Sequence, residues 1–213
     1  GLVGSEMCIR DRQFEEAYAM KDHLTHVSPR VQNRNLPYTP VAPSDTMQNE
    51  PDTDFDLSQN QEWVRRIFAK WKKSGTEEPE IIPLQIGAET VVCKNRYKYL
   101  DRCQNDEVCI CEMSQADSAQ VEKIIEIAET DPAGWRKTTL EERHRIMYEA
   151  ANRLADMRGD LIGCMCAVTG KTVIEGDVEV SEAVDYARFY TTAMKKFAAL
   201  DDIELSLIHI SEP

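Results

Sequence analysis

The sequence has little basic charge and no long apolar run. It contains 25 lysines and arginines against 38 aspartates and glutamates, which gives a formal net charge of −13 over 213 residues. Because an acidic chain repels phosphate backbones, we expect no nucleic-acid partner. The longest apolar stretch, LIGCMCAV, is much shorter than the roughly 20 residues that span a bilayer. With no recognisable secretory signal, these absences favour a cytoplasmic protein without a membrane span.

Metal and phosphate motifs are also missing. None of the seven cysteines forms a CxxC pair, so we interpret them as small apolar side chains in a reducing compartment. The histidines are scattered, and His144, between two arginines, is expected to be solvated. The TGKT stretch ends like a phosphate loop, but Met165 stands where that loop needs its first glycine. The residues alone therefore predict no metal ligand, cofactor-binding residue or catalytic residue.

The two ends of the chain are related through their coding DNA. The last segment, LSLIHISEP, can be encoded by DNA whose reverse complement, read one base in, encodes the GSEMCIRDR run near the start. That DNA resembles the transposase adapter used to prepare sequencing libraries. We therefore expect Gly1–Arg12 and Leu205–Pro213 to be translated adapter, and the natural protein to be longer at both ends.

Residues 13–80 are predicted to form a linker or arm that carries one amphipathic helix. A short helix candidate, QFEEAYAMKDHL, is followed by a proline-rich stretch whose backbone favours extended conformations. The stretch DLSQNQEWVRRIFAKWKKSG then reads as a helix with Ser58 as its N-cap. Its apolar stripe contains Trp63, Val64, Ile67, Phe68 and Trp71.

Residues 81–204 are predicted to be mainly α-helical after a short β-hairpin. IIPLQIG and ETVVC are β-rich runs separated by GAE, which predicts a hairpin over 81–92, and EVCICEM is a further extended segment. Helices are expected from about Asp117, Thr139, Asp160 and Val178. Thr139 and Glu142 have the spacing of a capping box, and Gly159 is expected to end that helix.

Carboxylates in the last predicted helix are the remaining candidates for chemistry. Most should be solvated, but Glu182 and Asp185 are three residues apart and therefore share a side of the helix. They neighbour Val184 and Ala187, so one of the two carboxylates is a candidate to face a crevice. Taken alone, these residues leave the function open, and a helical interaction module without catalysis is one alternative.

The order of the segments resembles the start of an aldehyde dehydrogenase over about Ile81 to Leu200. The residues that carry the resemblance are Trp135, Arg143, Gly170, Lys171, Thr172, Glu182, Asp185, Arg188 and Tyr190. The resemblance implies the α/β aldehyde dehydrogenase fold, truncated here to its N-terminal part over 81–204. Most of the parallel nucleotide-binding sheet is then expected to be absent.

Two segments narrow the resemblance further. VTGKTVIEGDVEVSEAVDYARFY is similar to the L-glutamate γ-semialdehyde (1-pyrroline-5-carboxylate) dehydrogenases, and NEPDTDFDLSQNQEWV resembles the junction that follows the proline dehydrogenase barrel in bifunctional proline utilisation A proteins. The resemblance implies a cysteine thiolate that attacks the aldehyde, hydride transfer to NAD and a glutamate-activated water. The family's motifs for the nucleophile, the NAD-binding glycines and the general base have no counterpart in this sequence. Cys164 and Cys166 lie on a different segment from the family's nucleophile, so the chain alone is expected to be inactive. Another aldehyde as substrate is the alternative.

The resemblance also implies a role for the last predicted helix, which lines the tunnel to the nucleophile in that family. The semialdehyde carries an ammonium and a carboxylate at its far end, so Glu182 is our candidate for binding the ammonium and Asp185 is the second choice. The alternative is that Glu182 only caps the helix or pairs with Arg188 or Lys195. A small-molecule aldehyde is the expected partner, and a homo-oligomer is expected at full length.

Overall fold

A computed structural model describes Tyr18 and residues 30–72, 78–104 and 108–200. The chain divides into two compact units, Gly1–Gln32 and Asn33–Pro213, and every element below lies in the second. Apart from Tyr18, which is helical, the helix candidate QFEEAYAMKDHL lies outside the described residues, as do both segments predicted to be adapter.

Five α-helices form most of the second unit within the described ranges. They are α1 (Ser58–Trp71), α2 (Ser118–Thr130), α3 (Leu140–Asp156), α4 (Arg158–Thr169) and α5 (Val173–Ala198), with a 3₁₀ turn at Trp135–Lys137. The five short strands are β1 (Glu80–Ile82), β2 (Leu84–Ile86), β3 (Glu89–Val91), β4 (Arg96–Leu100) and β5 (Cys109–Ser114). No described helix is long and apolar enough to cross a membrane.

The strands form two small sheets rather than one hairpin over 81–92. β2 and β3 pair antiparallel through Gly87, whose φ of 59° suits glycine in the turn. β1 instead pairs in parallel with β5, which also pairs antiparallel with β4. Pro83 lacks a backbone N–H and separates β1 from β2, so the predicted first strand is divided between two sheets. Only one parallel pair is present among the described strands.

Helix boundaries follow capping residues more closely than apolar patterns. The capping box of Thr139 and Glu142 is confirmed at the start of α3. The start predicted at Val178 was wrong, because α5 begins at Val173 behind a second capping box that Thr172 forms with Glu175. Two further expectations were also wrong. Leu57, without a side-chain bond, occupies the N-cap assigned to Ser58, and Gly159 lies inside α4 instead of ending α3.

Small side chains let α3, α4 and α5 pack closely. The core they share consists of Ala151, Ala155, Ile162, Cys166, Val180, Val184 and Ala187. Helix α1 joins this core through Trp71, which lies so close to Gly163 that a Cβ atom there would stand 2.2 Å from the indole Cδ1. His144, expected in solvent, is instead 2% exposed and its ring centroid lies 4.7 Å from that of Tyr148. His144 lies on the face of α3 that packs inward. The arginines on either side of it in the sequence led to the expectation of a solvated position.

Candidate active-site entrance

The segment 33–57 has no helix or strand but is held along α3 and α5. Asn152 bonds both backbone groups of Val41, accepting from its N–H at 3.0 Å and donating to its carbonyl at 2.9 Å. The Tyr148 hydroxyl donates to the Ser44 carbonyl at 3.1 Å. These side-chain bonds fix the path of the backbone at Val41 and Ser44 along α3.

A buried ionic network anchors the middle of this arm to α4 and α5. Arg158, which is 2% exposed, donates to the Asp177 carboxylate at 2.8 Å and to the Ser181 hydroxyl at 2.9 Å, and lies 3.4 Å from Glu50. Arg188 donates to the other Glu50 oxygen at 3.1 Å. Removing charges from water costs several kcal/mol per ion unless each is paired. The network therefore requires Glu50, an arm residue, to occupy this position between two helices.

Further arm residues extend the network toward the surface. Asp177 accepts from the Thr53 backbone N–H at 2.6 Å and from its hydroxyl at 2.5 Å. Arg34 donates to Thr53, and its burial lowers the pKa of its guanidinium. Burial, reinforced by the charge of Glu50, raises the pKa of Tyr38, whose hydroxyl accepts from Arg188. Both effects reflect an arm that is desolvated where it meets the helices.

Asp185, the second choice for substrate binding, belongs to this anchoring system. Its carboxylate accepts from the Asn49 side-chain amide at 2.6 Å and from the Glu50 backbone N–H at 2.7 Å. Each carboxylate oxygen is thus engaged by a donor of the arm. The geometry therefore favours a structural role for Asp185.

Glu182 lies one turn earlier and has a different environment. It is exposed, and its carboxylate accepts from the Tyr186 hydroxyl at 2.9 Å. The alternative of a pair with Arg188 or Lys195 is not what the structure has, because those residues pair with Glu50 and with Asp45 and Glu141 respectively. Among the described residues, no cation neutralises Glu182.

Glu182 opens onto a cavity of about 470 Å³ between α5 and the arm. Its lining residues are Met47, Asn49, Glu50, Asp52, Val178, Ser181, Glu182, Asp185, Tyr186 and Phe189. This lining contains four carboxylates and no lysine, arginine or histidine, together with apolar and aromatic walls. Of the four, Glu50 is paired with Arg158 and Arg188 behind the lining. Such a cavity suits a small ligand with a cationic group and an apolar stem.

The described cysteines do not supply a nucleophile at this cavity. Burial raises the pKa of both Cys164 and Cys166, which disfavours the reactive thiolate form. No disulfide joins the six cysteines of the described residues, and no group of three or more potential metal ligands comes together there. Cys166 packs in the core as predicted, whereas Cys103 is exposed and the other four described cysteines are partly buried.

The buried network was not predicted from the sequence, although the helical spacing of its α5 residues indicates it. Asp177, Ser181 and Arg188 recur with Val180 and Val184 at helical spacing, which places them on the buried face of α5. Charged residues on an apolar face are rarely buried without partners. This spacing would have predicted partners for Asp177 and Arg188, although not their identity.

More than half of the sequence matches a known family. The profile of the aldehyde dehydrogenase family matches residues 93–207, which is 115 of the 213 residues. The chain belongs to the aldehyde dehydrogenase family. The match ends three residues inside the segment predicted to be adapter, and the adapter assignment stays a prediction.

Relatives and solved structures agree with this membership. The chain is 30% identical over 149 residues to a 1-pyrroline-5-carboxylate dehydrogenase of Geobacillus sp. (strain WCH70), covering 70% of this chain and 28% of that protein. It is 26% identical over 151 residues to the enzyme of the same name from Bacillus pumilus (strain SAFR-032), again covering 70% and 28%. The chain thus spans 28% of the length of these curated relatives.

Two solved structures support the fold. A 1-pyrroline-5-carboxylate dehydrogenase from Thermus with bound NAD aligns with a TM-score of 0.66 and 23% identity, covering 75% of this chain and 31% of that one. Proline utilization A from Bdellovibrio bacteriovorus, inactivated by N-propargylglycine, aligns with a TM-score of 0.65 and 22% identity, covering 74% and 16%. The mainly helical segment with two small sheets is therefore part of an aldehyde dehydrogenase fold.

Proposed function

We propose that the full-length enzyme oxidises L-glutamate 5-semialdehyde to L-glutamate with NAD, as a step of proline catabolism. In this proposal the present chain supplies the wall through which the aldehyde approaches, and Glu182 binds the ammonium of the substrate. The observation that carries the proposal is the cavity of about 470 Å³ whose lining has four carboxylates and no basic residue. The relatives named 1-pyrroline-5-carboxylate dehydrogenase support the same substrate, whose open-chain form carries that ammonium.

The apolar part of the cavity suits the rest of such a substrate. Val178, Tyr186 and Phe189 are each about half exposed and line the wall that contains Glu182. A short aliphatic stem can lie against these side chains while the carboxylate attracts the ammonium. The substrate carboxylate needs a partner of opposite charge, which this acidic wall does not offer, so we assign that partner to the remainder of the enzyme.

The described residues do not fit an NAD site, so the proposal assigns NAD to the remainder of the enzyme as well. A dinucleotide needs a glycine-rich turn between a strand and the free N-terminus of a helix. The turn from β5 to α2 has the sequence Gln115-Ala116-Asp117, and Asp117 already caps that helix by accepting from the Gln120 N–H. A carboxylate at this position repels a phosphate. The chain alone is accordingly expected to be inactive.

Three statements about the whole protein belong to the same proposal. Similarity to a proline utilization A structure supports a proline dehydrogenase domain in the same full-length chain. A homo-oligomer is proposed for the full-length enzyme. A cytoplasmic location is proposed as well, because the six described cysteines form no disulfide, which is typical of a reducing compartment.

The test is steady-state kinetics of a full-length enzyme that carries this segment. We expect NADH formation with L-glutamate 5-semialdehyde and a lower kcat/KM with an uncharged aldehyde of similar length. Glu182→Gln should lower kcat/KM for the semialdehyde by about tenfold or more, since hydrogen bonds to charged groups contribute about 1.5–3 kcal/mol. Glu179→Gln is the matched control, because Glu179 lies on the same helix, pairs with Lys171 and does not line the cavity. A preference for the uncharged aldehyde, or equal losses in both variants, would refute the assignment.

A further inference from the structure

Tyr186 bonds Glu182, a carboxylate of α5 that faces the cavity and has no ion-pair partner among the described residues. Its hydroxyl donates to Glu182 Oε1 at 2.9 Å across one helical turn. Its ring is supported by Tyr190, with 5.8 Å between ring centroids, and Tyr190 in turn meets Phe189 edge-on at 5.5 Å. The phenol therefore has an aromatic neighbour that restricts its rotation while its hydroxyl bonds the carboxylate.

The bond orients Glu182 without neutralising it. A phenol is a neutral donor, so Glu182 keeps its full charge, and only Oε1 has a hydrogen-bond donor in the described part of the chain. The basic residue nearest to Glu182 along the helix, Arg188, is engaged with Glu50, and Lys195 farther along is engaged with Asp45. The hydrogen bond and the charge of Glu182 raise the pKa of Tyr186, so the phenol stays protonated as a donor at neutral pH.

We propose that Tyr186 is a positioning residue that fixes Glu182 through one carboxylate oxygen and leaves the other free to accept the ammonium of the substrate. The proposal rests on the function proposed above for the cavity. A carboxylate with a fixed rotamer loses less conformational entropy when it binds the ammonium. Tyr186 also lines the cavity, so its ring contributes to the wall against which the aliphatic stem lies.

The kinetic test uses a full-length enzyme that carries this segment and compares the semialdehyde with an uncharged aldehyde. Tyr186→Phe keeps the ring and removes the donor, and we expect it to lower the ratio of the two kcat/KM values about two- to tenfold, as for the loss of one hydrogen bond. The loss should vanish when Glu182→Gln is already present, because coupled residues are not additive. Tyr190→Phe removes a hydroxyl that does not bond Glu182 and is the matched control.

A titration of the present chain tests the contact without relying on catalysis. The Tyr186 phenol is followed by NMR with ¹³C-labelled tyrosine in the wild type and two variants. Glu182→Gln should bring the Tyr186 pKa down toward its ordinary value of 10.0, whereas Glu179→Gln should leave it unchanged. An unchanged Tyr186 pKa in Glu182→Gln would overturn the contact and the proposal with it.

The two proposals fail in different ways. If Glu182→Gln leaves the ratio of kcat/KM values unchanged, the proposed function of the cavity fails, and a role for Tyr186 in substrate binding fails with it. If Glu182→Gln lowers the ratio but Tyr186→Phe does not, Glu182 retains its role and the positioning role of Tyr186 is overturned. A Tyr186→Phe loss that persists in the Glu182→Gln background also overturns it, because the ring or hydroxyl then acts independently of Glu182.

Discussion

Two groups of carboxylates on α5 are used in opposite ways. Where the arm packs against the helix, Asp177 and Asp185 accept from backbone N–H groups and neighbouring side chains, and Asp177 is 1% exposed. At the cavity between α5 and the arm, Glu182 is exposed and has one phenol as its described partner. The same chemical group is thus fully satisfied in one place and available in another. The difference separates carboxylates that hold the fold from the one that can bind a ligand.

The arm contacts both groups of carboxylates. Glu50 pairs with Arg158 and Arg188 in the buried network, and its neighbours Asn49 and Asp52 line the cavity in front of Glu182. Anchoring the arm therefore also builds the second wall of the cavity. We expect changes in the network to affect stability first and the cavity indirectly.

The largest effect should come from breaking the buried network. Arg158→Met keeps much of the side-chain volume but leaves Asp177 and Glu50 without a shared cation. Removing one partner of a buried pair costs about 3–5 kcal/mol, so we expect a loss of that size in the free energy of unfolding, measured with urea. Lys171→Met breaks the surface pair with Glu179 and should cost less than about 1 kcal/mol. Equal losses in the two variants would contradict the distinction between the buried network and the surface pair.

A smaller effect should separate the two carboxylates that lie three residues apart. In Asp185→Asn the side-chain amide has one acceptor oxygen, whereas the carboxylate uses two, one for Asn49 and one for Glu50. We therefore expect the free energy of unfolding to fall by about 1–2 kcal/mol. Glu182→Gln changes an exposed side chain, so its free energy of unfolding should stay within about 0.5 kcal/mol of the wild-type value. Chemical denaturation of the present chain measures both. A larger loss for Glu182→Gln would reverse the roles given to the two residues.

The smallest effect concerns Glu175, a carboxylate in the first turn of the same helix. Bonds from the Thr172 backbone and side chain lower the pKa of Glu175 from its ordinary value of 4.5. A lowered folded pKa means that this stabilisation is present above about pH 4.5 and is lost as the pH falls through the folded pKa. Glu175→Gln keeps a capping-box acceptor that does not titrate there. The free energies of unfolding of wild type and Glu175→Gln, measured from pH 7 to pH 3, should therefore converge at acid pH. A difference that stays constant over this range would contradict the assignment.

Local chemistry made part of this fold predictable from the sequence. The capping box at Thr139 follows from residues three positions apart, and the stop of α4 at Gly170 follows from a φ of 75° that suits glycine. The mainly helical character and the family resemblance follow from long ordered segments. The exposure of Glu182 and the helix that carries it could likewise be expected from helical spacing.

Long-range partners could not be predicted in the same way. Glu50 and Arg188 are 138 residues apart in the sequence, and nothing near either residue identifies the other. The pairing of β1 with β5 is similar, because a parallel partner lies beyond the neighbouring strands. Asp185 is an anchor and Glu182 a candidate substrate-binding residue because of where the arm passes. The sequence of the proline-rich stretch contains no pattern that predicts this path.

The most direct measurement compares Glu182→Gln with Asp185→Asn in a full-length enzyme that carries this segment. For each variant, kcat/KM is determined with L-glutamate 5-semialdehyde and with an uncharged aldehyde of similar length. Glu182→Gln is predicted to lower the ratio of the two values about tenfold or more, because the charge that attracts the ammonium is lost. Asp185→Asn is predicted to lower both values equally, through a looser arm, and to leave the ratio unchanged. A ratio that falls in Asp185→Asn and stays constant in Glu182→Gln would contradict the account.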